Sequence, residues 1–425
     1  MAEPELVVEH RGHLWNLLMA AETLEHLIMC QYLYASFSLK TDPDEGLTAV
    51  QAEAVGRWRE TLTGIAIEEM LHLALVANVM TAIGAAPRLA RPNFPRHSEY
   101  LPPGVQFALL PFGEASLTHF LYLERPEGME RKDAAGFVPG TPPGSVEPSE
   151  VMPRVQDFST VGHLYRGIMH GLSHLADRLG EHALFVGSAR TQATPEAFRW
   201  PQLVTVTDLK SAHAAIEEII EQGEGARGDW RTAHYGRFLR IWEEYRQLRS
   251  QDPAFDPARP VTPAFTRQPF DIAEPQPLLT EPFTRTVAEL FNLGYEMLLW
   301  LLTRFFTHTG ETDEQLEALT GGAFALMAGV LAPLGRTLTR LPAGPGHPGR
   351  TAGPAFEMYY QMGNFIPSRG AAWAVMSERA AMLAVHCADV ASRDAAPASI
   401  APVAKTAADV AARLASHVPP ALRPT

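Results

Sequence analysis

The chain has 425 residues, 46% of them hydrophobic and 20% charged, with a formal net charge of −13 at neutral pH. That length exceeds what one hydrophobic core serves and predicts about two or three domains. No basic stripe interrupts the acidic excess, so nucleic acid and anionic membrane surfaces are not expected as partners.

In chain order, Glu9 to Leu39 predicts a first helix, closed by the turn-forming run Thr41 to Gly46. A second helix is predicted from Thr48 to Ile83, stopping at Gly84. Residues 85–159 then lose helical period and fill with proline, which predicts a long crossover over one end of a bundle or a lid above a site. Within it, Val105 to Leu110 reads as a short strand and Phe137 to Pro153 as a mobile stretch. Helical pattern resumes over Val161 to Phe185, Thr207 to Gln222 and Trp230 to Leu248. These segments predict four long helices and a fifth, forming an all-α bundle over residues 1–249. Residues 250–281 hold seven prolines and read as a connecting strap. Beyond it, 282–425 predicts a C-terminal helical region with helices at Pro282 to His308, Thr312 to Leu341, Pro367 to Ala391 and Pro402 to Ser416. Cys30 and Cys387 lie in apolar helical patterns and read most simply as buried free thiols, with a disulfide left open. The opening Met1 to Glu5 lacks the basic and apolar regions of a secretory leader, and the apolar stretch Leu290 to Phe306 is broken by Glu296 and Arg304. A cytoplasmic protein without a membrane span is therefore expected.

The chemistry is concentrated in the first two helices. Glu69 and His72, three residues apart, share one helix face and can grip one ion or two adjacent ions. Glu68 points away from that face. The surrounding residues, from Ile65 through Leu71 and Leu75 to Met80, are apolar nearly all round, which predicts burial. A buried carboxylate and imidazole need partners or metal, because uncompensated burial costs several kcal/mol. Glu25 on the first helix supplies a further carboxylate, and Tyr32 lies two turns on, where its hydroxyl reaches a ligand's outer side. Carboxylates with imidazole and no nearby cysteine suit iron or manganese better than a closed zinc site. Three ligands cannot hold two ions, so the later helices must complete the site. His163, Glu217, Glu221 and His234 are the leading candidates, with His170, His174, His213 and Glu224 behind them. No second Glu-x-x-His exists, and Arg231 stands at the comparable place before His234. Arg96, His97 and Tyr100 are candidates to orient a substrate.

The run Leu24-Glu25-His26 with Tyr32-Leu33, the helix Ile-Ala-Ile-Glu-Glu-Met-Leu-His, Gly162 to Tyr165, Ile219 to Gly225, and His234-Tyr235 with Phe238 resemble the ferritin-like family that includes the iminophenyl-pyruvate dimer synthases. Thr351 to Pro354 with Phe356-Glu357 is similar to that family's C-terminal region, so the likeness spans most of the chain. The resemblance implies a metal-binding bundle, with iron in two positions, and ligands at Glu25, Glu69, His72, Glu221 and His234. Relatives tend to carry Glu where this chain has His163. Also implied are a small-molecule, imine-type substrate and a pathway enzyme that supplies it, as in violacein- and indolocarbazole-type pathways. An enzyme that oxidises or couples an amino-acid-derived molecule is the leading expectation, and no catalytic residue beyond the ligands is assigned. The competing expectations are a ferroxidase or storage protein, and a metal-free helical scaffold whose polar core is only hydrogen-bonded. A homodimer formed by packing exposed helix faces is compatible with the fold class.

Overall fold

The computed structural model describes residues 6–95, 105–137, 156–225, 229–359 and 368–423. Two compact units divide it: one comprises residues up to Pro87 with Phe94–Ala258, the other Arg88–Asn93 with Arg259 onward.

In the first unit, α1 (Arg11–Ser38) and α2 (Ala49–Ala82) lie within a residue or two of the predicted helices. The turn between them closes at Gly46, whose φ of 86° lies in the left-handed region that glycine adopts without penalty. Thr48 starts α2 with a capping box: its side chain accepts from Gln51 N–H while the Gln51 side chain accepts from Thr48 N–H, at 3.3 and 2.9 Å. The proline-rich crossover holds a helix that the sequence pattern did not predict, α3 (Glu114–Leu123), begun at Gly113 and ended at Glu124 before Arg125-Pro126. The strand expected over Val105 to Leu110 does not form; a single bridge at Phe107 is all that appears. After the crossover, α4 (Val161–Leu179) stops at Gly180, so the predicted run to Phe185 is broken into α4 and the one-turn α5 (Glu181–Leu184). The one-turn α6 (Pro195–Phe198) precedes α7 (Leu209–Gly223), which Asp208 caps, and α8 (His234–Gln251) begins at His234 rather than at Trp230. α1 packs on α2, α4 on α1 and α7, and α3 on α8. Leu14, Leu24, Trp58, Ile65, Phe120, Leu164, Ile216 and Phe238 are among the side chains buried in this core.

The second unit is built on α9 (Pro282–Phe306), α10 (Asp313–Leu326), α11 (Ala332–Leu338), α12 (Arg369–Ala391) and α13 (Ile400–Ser416). A π-helical turn at Met327–Leu331 joins α10 to α11 just before Pro333, whose missing N–H interrupts the regular ladder. β1 (Val261–Thr262), within the predicted strap, pairs in parallel with β2 (Thr351–Ala352). Arg304 on α9 is fully buried against Glu311, and Glu357 accepts from Thr266 N–H and O–H at 2.7 and 2.9 Å.

Cys30 and Cys387 are buried and are not joined in a disulfide. Two helical stretches, Ala49–Ala82 and Asp313–Leu338, are long and apolar enough to cross a bilayer, and 83% of the apolar window of the first is buried inside the fold. Arg96, His97, Tyr100 and most of the stretch from Phe137 to Pro153 lie outside the described residues.

Candidate metal centre

Four helical elements deliver acidic and imidazole groups to one buried point in the first unit. Glu25 comes from the middle of α1, Glu69 and His72 from α2, Glu124 from the C-terminal end of α3, and His234 from the first position of α8. All five are buried, the most exposed being Glu124 at 4%. They form two overlapping clusters, Glu25–Glu69–His72 and Glu69–Glu124–His234, in each of which one donor atom per residue lies within 4.8 Å of the others. Glu69 belongs to both. His72 Nδ1 stands 2.9 Å from Glu69 Oε2 and 3.4 Å from Glu25 Oε2, while His234 Nδ1 stands 2.9 Å from Glu69 Oε1 and 3.6 Å from Glu124 Oε2.

The outer faces of these groups are fixed by hydrogen bonds. Tyr165 on α4 donates to Glu25 Oε1 at 2.5 Å, and Tyr32 on α1 donates to Glu124 Oε1. His72 Nε2 lies 3.1 Å from Gln222 Oε1 on α7, and His234 Nε2 lies 2.8 Å from Glu68 Oε2. Both partners are acceptors, so Nε2 carries a proton on each ring and Nδ1 faces the inner carboxylates, able to ligate once it gives up its own proton. Arg237 donates to the same Glu68 oxygen.

Electrostatics follow from burying this much charge together. Burial raises the Glu25 carboxyl, and the neighbouring Glu69 charge raises it further. Glu124 is raised for the same two reasons. Burial alone would also raise Glu69, but the facing charges of His234 and His72 hold it well below the usual carboxylate range. Burial works against a charged His72, yet Glu69 and Glu25 push it up to about 10, and His234 is likewise lifted well above its ordinary value. Without metal, the cluster balances itself with protons.

The donor set fits a pair of hard divalent ions. Glu25 Oε2, Glu69 Oε1 and His234 Nδ1 are buried and make no hydrogen bond, although Nδ1 and Oε1 approach within 2.9 Å. Three carboxylates and two imidazoles with no thiolate match iron or manganese.

Of the sequence candidates, the structure brings together Glu25, Glu69, His72 and His234, and leaves three outside. Glu217 and Glu221 are exposed, because α7 turns Ala212, Ala215, Ile216 and Ile219 inward and the four-residue step of glutamates falls on the opposite side. His163 is buried at the start of α4, where its Nδ1 accepts from Ser159 N–H at 3.2 Å. His170 and His174 are exposed, and His213 bonds to Ser173 Oγ at 3.1 Å. Glu224 receives Gly162 N–H at 2.9 Å and lies so close that a Cβ at Gly162 would collide with its carboxylate. Glu68, expected to point away, is instead the partner of His234. Glu124, Tyr165 and Gln222 were not among the sequence candidates. The signal for Glu124 was present in the apolar run Leu117, Phe120, Leu121, Leu123 between Gly113 and Pro126.

A helical bundle whose core carboxylates and imidazoles could hold two ions is the architecture of helical carboxylate proteins. A ferritin-like family model matches residues 18–243, more than half of the chain and all five converging residues, and the chain belongs to that ferritin-like family. It is 28% identical over 386 residues to a dichlorochromopyrrolate synthase of Lentzea aerocolonigenes, covering 83% of this chain and 36% of that protein. It is 29% identical over 371 residues to a 2-imino-3-(indol-3-yl)propanoate dimerase of Chromobacterium violaceum, covering 82% of this chain and 34% of that protein. The chain thus spans about a third of the length of these curated relatives. A crystal structure of a ferritin-like protein from Caulobacter vibrioides superposes with a TM-score of 0.45 at 19% identity, covering 75% of this chain and 95% of that one.

Proposed function

We propose that the protein is a non-haem two-metal enzyme, with iron as its metal and manganese compatible with the same ligands. Its substrate is an amino-acid-derived, imine-type small molecule of a secondary-metabolite pathway, which it oxidises or couples oxidatively. The observation that carries this reading is the Glu69 carboxylate, shared by two buried clusters, each completed by one imidazole and one further carboxylate. The substrate class is supported by the relatives' names, one a dimerase of a 2-imino-3-indolyl acid and the other a synthase of a dichlorochromopyrrolate. Since those proteins are about three times longer than the matched region, their activities come to this chain only as part of the proposal, with a separate enzyme supplying the imine.

Bound iron would supply Lewis-acid and redox chemistry in the core of the bundle. The chain's own residues hold the ligands in place: Tyr165 and Tyr32 fix the outer oxygens of Glu25 and Glu124, and Gln222 and Glu68 fix the two imidazole rings. Tyr32, Phe120 and Phe238 pack around the Glu124 side with ring centroids 4.6–5.3 Å apart and exclude water there. We take the protein to be cytoplasmic and a homodimer, the latter checked by light scattering.

The deciding experiment loads the purified chain with ferrous iron anaerobically, measures bound iron, and admits air in the presence of an aromatic 2-imino acid generated in place from its amino acid. About two irons per chain, an oxygen-dependent absorption change and consumption of the imino acid are expected. Iron bound without turnover of any imino acid would move the protein to metal handling. No bound metal would leave the hydrogen-bonded scaffold.

A further inference from the structure

Among the described residues the two half-sites are alike in their carboxylates and tyrosines and differ behind the imidazoles. Each has a terminal carboxylate, Glu25 or Glu124, held from outside by a tyrosine hydroxyl, Tyr165 or Tyr32. Each has an imidazole that turns Nδ1 inward and donates Nε2–H outward. They share Glu69.

The difference is what accepts the outward N–H. Behind His72 stands the Gln222 amide, 3.1 Å away. Its orientation is fixed, because the Gln222 NH2 donates to the Glu218 carboxylate, which can only accept. Behind His234 stands the Glu68 carboxylate, at 2.8 Å and joined by Arg237. An ionised acceptor makes a shorter and stronger bond than a neutral amide and draws the ring proton outward, which makes the opposite nitrogen a stronger donor. Arg237 shares the same oxygen and holds the carboxylate in line with the ring.

We propose, resting on the two-metal reading above, that the centre is built unequal and fills in order. The first ion enters Glu69–Glu124–His234 and is held tightly, and the second enters Glu25–Glu69–His72 and exchanges more readily. Glu68 and Gln222 are the positioning residues that set this order.

Manganese(II) is the probe, added stepwise to the full chain and followed by calorimetry and by loss of the free-ion paramagnetic signal. The native chain should take up two ions in two steps of unequal affinity. Glu68→Gln should weaken the first step about 10–100-fold, the usual effect of removing such an outer partner. Gln222→Glu, made together with Glu218→Gln so that two carboxylates do not face each other, should strengthen the second step, and His72→Ala should abolish the second step while keeping the first. Two steps of equal affinity in the native chain, or variants that leave their respective steps unchanged, would overturn the order while leaving the two-metal reading intact. If Glu68→Gln fails to fold by circular dichroism, the Gln222→Glu, Glu218→Gln pair decides alone. A native chain that binds no manganese and no iron defeats the two-metal reading itself, a result distinct from equal binding.

Discussion

Glu124 and Glu221 pose the sharpest contrast at the level of single residues. Both are glutamates near the end of a helix, but Glu124 is buried beside His234 and Glu221 is exposed on α7. Glu124→Gln should therefore drop the metal-to-protein ratio by one ion, while Glu221→Gln should leave it unchanged, read by elemental analysis after dialysis. Loss of metal in the Glu221 variant would return the ligand role to α7. Protons make a second expectation. In the metal-free chain His72 is lifted to about 10, above its unfolded value, so the stability it contributes is complete below pH about 6.5 and is lost as pH rises toward 10. Glu25 is also raised, so the folded state again holds more protons than the unfolded one, and its share too declines with rising pH. Glu69, depressed, acts in the opposite sense and loses its share only on acidification below the usual carboxylate range. The metal-free protein should thus melt at lower temperature at pH 9 than at pH 6. Metal displaces these protons, so at neutral pH binding should release on the order of two to three protons per pair of ions, measurable by calorimetry in buffers of different ionisation enthalpy. A melting temperature that climbs steadily to pH 9 without metal would contradict the assigned charges.

At the level of elements, α3 decides half of the centre. It spans only Glu114–Leu123, is flanked on both sides by proline-rich chain, and brings in Glu124 as its C-terminal cap. Phe120 holds it in place, with its ring 4.6 Å from Tyr32 and 5.3 Å from Phe238. Phe120→Ala should cost about 3–5 kcal/mol of stability by opening a cavity, and should weaken the Glu124–His234 ion more than the other. Denaturant unfolding and metal titration read the two effects separately; equal weakening of both ions would mean that α3 does not position Glu124 by itself. The same element marks where sequence was legible and where it was not. α1 and α2 were readable because their apolar residues run unbroken for many turns, and Glu25, Glu69 and His72 are carried on those turns. α3 was lost because a ten-residue helix offers few turns of period, and the neighbouring prolines dominated the composition. On α7 the difference is one of register. Ile219 is buried, and three residues on, Gln222 lies on the same face; the charged step through Glu217 and Glu221 is the stronger ligand signal in the sequence but runs along the exposed side.

For the whole molecule, chain order and unit membership differ in a way no periodicity encodes. Residues 88–93 come soon after α2 in sequence, yet belong with the second unit, where Asn93 bonds to Asp271 at 2.8 Å and to Met358 O at 2.9 Å across separations of 178 and 265 residues. Such pairings depend on distant partners, so no local pattern announces them. The division itself has a thermal consequence. The converging ligands all lie in the first unit, and metal that binds only the folded form stabilises by about 2.7 kcal/mol at a hundredfold excess over the dissociation constant. Arg304 and Glu311 lie buried in the second unit, with Arg304 Nε donating to Glu311 at 2.5 Å and Trp373 Nε1 approaching the same oxygen at 3.3 Å. Removing the cation takes away the ion-pair partner of buried Glu311, so Arg304→Met should cost about 3–5 kcal/mol. Scanning calorimetry should then show two separable responses. Manganese should raise the transition of the metal-binding unit and a chelator reverse it, while Arg304→Met lowers the other transition and leaves metal content unchanged. If instead manganese and Arg304→Met shift one common transition, the two units unfold as a single cooperative body and their division has no thermodynamic counterpart.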